Sequence, residues 1–380
     1  MIDLHLMQRL QEYFTAHHED MIAENIAVCE VAAPPFQEHE RAEYVARRWR
    51  EIGLDNVYVD EVPNVYAEIV GDEPGQTLLV AAHLDTVFPA GTDVTVRRDG
   101  HFLHAPGVRD DSTAVAALIQ LAAALKALNI TPKGRIILVG TAGEEGLGDL
   151  RGMKAAMAKY GPEVDAVIAV DGNLSSVVHQ GIASRRLQVN VSTGGGHSWG
   201  NFGDPNAIHV MGRMVADISH LEVPKEPRTS YNVGVISGGT SINTIAPNAE
   251  MLIDMRSTST ESLADLEGRL RAILTRHAEE GGVELKATVV GDRPGGAIPS
   301  DHYLVQTARE ILTTLGVEPV SGPSSTDANV PLSQGIPAVC VGITAGRGAH
   351  RMDESLDVRP MPVGMTQLAM LIFTVASHVG

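Results

Sequence analysis

Aromatic side chains make up only 4% of this 380-residue chain, so its core has to be built from aliphatic residues and alanine. Cysteine is scarcer still. Cys29 and Cys340 stand far apart, the second inside an apolar run, which suits reduced, buried thiols in a cytoplasmic protein better than a disulfide framework. Positive charge is in deficit: 29 Lys and Arg face 47 Asp and Glu, a formal net charge of −18. A surface that acidic repels phosphates and argues against a nucleic-acid partner. No apolar stretch approaches the length of a bilayer span, and Met1 to Val28 carries Asp3, Glu12, Glu19 and Asp20 among its apolar residues. Neither a membrane partner nor a targeting segment is expected. What the chain does have, 44% hydrophobic and 20% charged residues, is ordinary for a globular protein, in a length that suits two domains.

Short apolar runs rich in β-branched residues recur at Leu78 to Ala82, Ile136 to Gly140, Ala166 to Val170 and Ala338 to Ile343. Bounded by Gly, Pro or charge, they suit strands buried on both faces of a parallel sheet. Between the first two, Ser112 to Leu128 repeats Ala and Leu at helical spacing behind Asp110 and Asp111, both acceptable caps. Strand, helix, strand is the grammar of an α/β domain. From Ile182 to Gly295 the pattern changes to strand Leu187 to Ser192, helix Pro205 to Leu221, strands Ser230 to Ser237 and Ala249 to Ser257, helix Glu261 to Gly281 and strand Val283 to Val290. That order, βαββαβ, predicts a ferredoxin-like sandwich on an antiparallel sheet. The first pattern resumes at Tyr303. The expected organisation is therefore an α/β domain of mostly parallel sheet over 1–181 and 296–380, with residues 182–295 inserted as a second domain.

Acids and histidines gather where the parallel strands end, and in an open parallel sheet the ligand crevice lies beyond the carboxyl ends of the strands. His83 and Asp85 follow the first run, Glu144 and Glu145 the second and Asp171 the third, while His350 comes some residues after the fourth. Asp110 and Asp111 open the intervening helix at the same edge. Imidazoles with several carboxylates form a ligand set suited to zinc, manganese or cobalt rather than to a thiolate-loving ion. The set is too large for one ion and sufficient for two if one carboxylate bridges; such ions, roughly 3.5 to 4 Å apart, activate a shared water and polarise a scissile carbonyl. His83 and Asp85, at i and i+2 on extended chain, project to one side, so one can ligate while the other fixes it. Adjacent Glu144 and Glu145 cannot easily grip the same ion, so Glu144 is assigned to proton transfer and Glu145 to metal.

These residues resemble those of the dizinc metallopeptidases that include peptidase T, carboxypeptidase G, bacterial dipeptidases and the aminoacylases. The likeness runs over nearly the whole chain, carried by His-Leu-Asp-Thr-Val at 83–87, Asp110-Asp111, Glu144-Glu145-Gly146, Asp171-Gly172, Gly196-His197, and His350 with Glu354 nearby. The resemblance implies that His83, Asp110 and Asp171 hold one metal and Asp110, Glu145 and His350 the other, with Asp110 as the bridge. It makes Asp85 the partner of His83, and Glu144 the base that activates water and later protonates the leaving amine. The inserted domain is then a lid and dimerisation domain of a homodimer. Its His197 would stabilise the oxyanion in the partner subunit's site, and Asn243 and Arg256 would hold the substrate's carboxylate or backbone. Ser112 departs from the family's pattern, standing where many members have Lys, as do Phe88, between Val87 and Pro89, and Trp199, whose bulk close behind His197 would reshape the substrate pocket. Asp171 and Ser325-Thr326-Asp327 lean toward the peptidase branch.

The reading that follows is a dizinc metallopeptidase of aminopeptidase type acting on short peptides. An N-acyl or N-carbamoyl amino acid amidohydrolase, or a carboxypeptidase, is the enzymatic alternative. A non-catalytic, metal-stabilised binding protein is the competing class, disfavoured because every ligand and the base are present. Gly194-Gly195-Gly196 makes no phosphate loop, since no Lys followed by Ser or Thr closes it. Plainer readings exist for Arg256, a surface ion pair with Asp254, and for Asp110 and Asp111, helix caps.

Overall fold

A computed structural model describes residues 2–378. They form two compact units, one made of the residues up to Gly181 together with those from Ala297 onward, the other Ile182–Gly296.

The first unit is built on an eight-stranded sheet in the order Asp55–Val59, Val65–Val70, Arg135–Thr141, Thr77–His83, Ala166–Val170, Ala338–Val341, Ser176–Val178, Val320–Ser321. Its central strands, from Arg135–Thr141 to Ala338–Val341, run parallel. Alternation along each strand sends Leu78, Val80, Ile136, Leu138, Ile168 and Val339 into one apolar layer and Leu79, Ala81, Ile137, Val139, Val167 and Cys340 into the other. Helices Leu4–Ala16, Ser112–Leu128 and Met361–Ala376 supply the first layer, and Arg151–Tyr160 the second. Because both faces are covered, the strands read as unbroken apolar runs. The fourth run stops at Val341 rather than Ile343. Gly342 follows, where a side chain would collide with the backbone of Gly172 and Asn173.

A smaller sheet matters more for the chemistry. Strands Ala345–Arg347, Ser355–Asp357, Phe102–His104 and Arg97–Asp99 lie side by side in that order, and Ser355 is opposite both Arg347 and His104. The loop that closes from Arg347 back to Ser355, carrying His350, therefore leaves the same end of this sheet as the segment after His104 that leads to Asp110.

In the second unit the strands Glu284–Arg293, Ala183–Ser192, Asn248–Ser257 and Thr229–Gly238 lie in that spatial order, each antiparallel to its neighbours. Helices Ala207–Ile218 and Thr260–Gly281 bury Met211, Met214, Leu266 and Leu270 against Leu187, Val189, Met251 and Ile253 of the sheet. This is the ferredoxin-like arrangement expected from the βαββαβ order. Side chains start both helices: Asn206 accepts the amides of Ile208 and His209, and Ser259 that of Ser262.

Candidate metal centre

His83 ends its strand at 2% exposure. Its Nδ1 lies 3.0 Å from the carbonyl oxygen of Asp85; that oxygen can only accept, so the ring proton sits on Nδ1 and Nε2 is left as a donor for a metal. Nε2 stands 3.1 Å from Asp110 Oδ1. The other oxygen of Asp110, Oδ2, is 3.2 Å from His350 Nε2, which also lies 2.7 Å from Glu145 Oε1. One carboxylate thus faces two imidazoles through separate oxygens, an arrangement that would allow it to bridge two ions. Ligand atoms of His83, Asp110 and Glu145 lie within 4.8 Å of one another, and so do those of His83, Asp111 and Asp171. His83, Asp110, Glu145, Asp171 and His350 are all brought together.

Asp85 takes a different part from the one expected. Its carboxylate is 3.7 Å from His83 Nδ1, beyond hydrogen-bond range. It accepts instead the amides of Glu144 at 2.9 Å and Glu145 at 2.8 Å, so it holds the turn carrying both glutamates, while its backbone oxygen sets the His83 tautomer. Asp111 also departs from its plainer reading. It occupies the N-cap of Ser112–Leu128 without capping it, and its Oδ2 accepts the amide of His83 at 3.1 Å, tying the strand end to the loop of Asp110. His350 has a left-handed backbone, φ 66°, which costs a non-glycine residue about 1 kcal/mol or more.

Carboxylates dominate the electrostatics. Burial disfavours the charged His83 imidazole, but Asp111, Asp110 and Glu144 outweigh it and raise its pKa well above the ordinary value. Hydrogen bonds to Asp110 and Glu145 push His350 up to about 10. Burial opposes ionisation of Asp110, yet its bonds from His350 and His83 hold that carboxyl well below the usual range. Asp171 is pushed up to about 6, by burial first and then by repulsion from Asp110. The carboxylates thus bias both imidazoles toward their protonated forms, and divalent cations would displace those protons. The nitrogen and oxygen donors fit zinc, manganese or cobalt. Metal loading near neutral pH should release protons, and affinity should rise with pH up to about 10, where His350 gives up its proton unaided. Calorimetry in buffers of different ionisation enthalpy measures this; binding without proton release would contradict it.

A family model for peptidase family M20/M25/M40 matches residues 79–374, a stretch that includes every residue of the cluster. The chain belongs to this family. M20 proteins are metal-dependent hydrolases, both peptidases and amidohydrolases, of dinuclear type. Acetylornithine deacetylase of Klebsiella pneumoniae (strain 342) is 27% identical over 341 residues, 82% of this chain and 84% of that protein. The fold is similar to that of aminopeptidase PepT from Bacillus cereus, with 20% identity, a TM-score of 0.78, and coverage of 95% of this chain and 99% of that one. It is also similar to a Bacillus subtilis dinuclear metal-binding peptidase of M20, with 19% identity, a TM-score of 0.69, and coverage of 95% and 99%.

The remaining expected site residues of this M20 chain lie in the second unit. His197 pairs with Thr244 in a short antiparallel ladder, and the amide of Ser198 donates to the carbonyl of Asn243 at 3.0 Å, so His197 and Asn243 are neighbours. The amides of Trp199 and Gly200 both donate to His197 Nδ1 at 3.2 Å. An accepting ring nitrogen carries no proton, so neutral His197 keeps its proton on Nε2 as a hydrogen-bond donor. Trp199 and Phe202 are 88% and 91% exposed beside it. Arg256 lies on the strand Asn248–Ser257, its Nε bonded at 2.7 Å to Asp254, the surface ion pair of its plainer reading.

Proposed function

We infer that this protein hydrolyses the amide bond of a short peptide with two divalent ions, zinc by preference, held by His83, Asp110 and Asp171 and by Asp110, Glu145 and His350. The observation that carries this reading is the division of the Asp110 carboxylate between His83 and His350. Two bound ions would supply Lewis acidity and lower the pKa of a water from about 15.7 toward about 7. Glu144, whose amide Asp85 fixes, accepts that water's proton on its carboxylate and returns it to the leaving nitrogen. His197, with its proton on Nε2, would donate to the developing oxyanion in the partner subunit's site of a homodimer formed through residues 182–296. Asp171 and Ser325-Thr326-Asp327 favour a peptide substrate, and the buried Asp327 carboxylate takes a hydrogen bond of 2.5 Å from Thr141, the residue paired with His83. The two free, buried cysteines favour the cytoplasm. No helix among the described residues is long and apolar enough to cross a membrane.

The alternative, an N-acyl or N-carbamoyl amidohydrolase or a carboxypeptidase, gains support from the likeness to acetylornithine deacetylase, 27% identical over 341 residues. A panel of di- and tripeptides, N-acyl and N-carbamoyl amino acids, followed by mass spectrometry, separates the two. Hydrolysis should disappear on chelation and return with zinc, manganese or cobalt; activity indifferent to chelation would end the metal reading. Cleavage of acylated or carbamoylated amino acids alone would transfer the assignment to the alternative. A metal-loaded protein that cleaves nothing in the panel would favour the binding-protein reading.

A further inference from the structure

Glu354 is fully buried, 0% exposed, and its carboxylate is met by main-chain amides. Oε1 accepts from the amides of Arg109 at 2.8 Å and Asp110 at 2.9 Å, and Oε2 from that of Gly107 at 3.1 Å. Burying a carboxylate is costly unless its lone pairs are taken up, and these N–H groups, converging from one arc of backbone, form an anion-binding nest around it. The arc ends at Asp110. Glu354 itself belongs to the loop between the paired strands Ala345–Arg347 and Ser355–Asp357, four positions after His350, and its own amide closes that loop by donating to the carbonyl of Arg351 at 3.2 Å. One side chain therefore ties the segment presenting Asp110 to the segment presenting His350, two residues that stand 3.2 Å apart.

This linkage matters because of what Asp110 has to do. Its two oxygens face different imidazoles, and a carboxylate that must serve two ions tolerates misplacement of only about 0.5 Å. The hydroxyls of Ser112 and Thr113 bind the carbonyls of Gly107 and Val108 and hold the arc from its helix side. Glu354 holds it from the other side, at the amide of Asp110 itself.

We propose that Glu354 is a positioning residue of the metal centre, setting the backbone of Asp110 so that its carboxylate reaches both ligand sets at once. This rests on the dinuclear reading given above. Glu354→Gln keeps the volume but turns an NH₂ group toward an amide that needs an acceptor. Metal-free Glu354→Gln should retain the parental circular dichroism yet bind cobalt at least about 10-fold more weakly, with an altered visible cobalt spectrum. Glu354→Asp, which keeps the charge but withdraws it by one methylene, should fall between Gln and the parent. Parental cobalt affinity and spectrum in folded Glu354→Gln, with only thermal stability reduced, would overturn the proposal. Should Glu354→Gln not fold, Glu354→Asp decides: weakened cobalt binding at unchanged circular dichroism supports it, and parental binding overturns it. A parent protein that binds no cobalt would instead sink the dinuclear reading itself, and this proposal with it.

Discussion

Glu144→Gln should lower kcat by about 10² to 10⁴-fold while leaving both bound ions and KM close to those of the parent. Glu144 is 5% exposed, and its amide is fixed by Asp85, so the isosteric amide keeps its place while losing the charge and the capacity to accept a proton. The neighbouring glutamate makes the control. Glu145 Oε1 lies 2.7 Å from His350 Nε2, so Glu145→Gln should show its effect in metal content, with turnover falling because an ion is lost. Metal analysis combined with single-turnover kinetics separates the two outcomes. Glu144→Gln cleaving at the parental rate with both ions bound would remove Glu144 from proton transfer, and an ion lost from Glu144→Gln but kept in Glu145→Gln would exchange the roles of the pair.

Much of the fold is legible in the sequence because its elements are long or strongly patterned. The central strands announce themselves as unbroken apolar runs, a consequence of burial on both faces, and the inserted unit by its strand and helix order. Reading the carboxyl ends of those strands as one edge suffices to gather His83, Asp110, Glu145, Asp171 and His350. Local pattern gives out where tertiary structure makes the decision. The small sheet that turns the chain back at His350 consists of strands of three residues, too short to carry a period. Helices Leu4–Ala16, His18–Glu30 and His39–Ile52 are absent from the sequence reading. They bring in Arg41, a buried guanidinium bonded to the carbonyls of Val31, Leu84 and Cys29, which no spacing foretells. The i and i+2 spacing places Asp85 beside His83, but which oxygen of Asp85 meets the ring depends on the distant amides of Glu144 and Glu145 competing for its carboxylate. Glu354 likewise looks like one more acidic residue until its amide partners are seen.

Asp110→Asn should cost the protein both ions where His350→Ala costs it one. Each Asp110 oxygen faces a separate imidazole, so a neutral side chain offering a single oxygen cannot complete both ligand sets. The loss is electrostatic as well as geometric. Asp110 holds its charge against burial because His350 and His83 bond to it, and removing that charge leaves the donor set less able to attract cations. Asp171 should respond in the opposite sense, its carboxyl falling from about 6 once the repulsion from Asp110 is gone, though burial, the larger cause of its elevation, remains. Lewis acidity contributes several kcal/mol to hydrolysis of this kind, so turnover should drop on the order of 10³-fold or more. Elemental analysis and calorimetry of the paired variants check this directly. If Asp110→Asn retained two ions at parental affinity, Asp110 would not be the bridge; if His350→Ala lost both, the ions would be held cooperatively by ligands beyond those assigned.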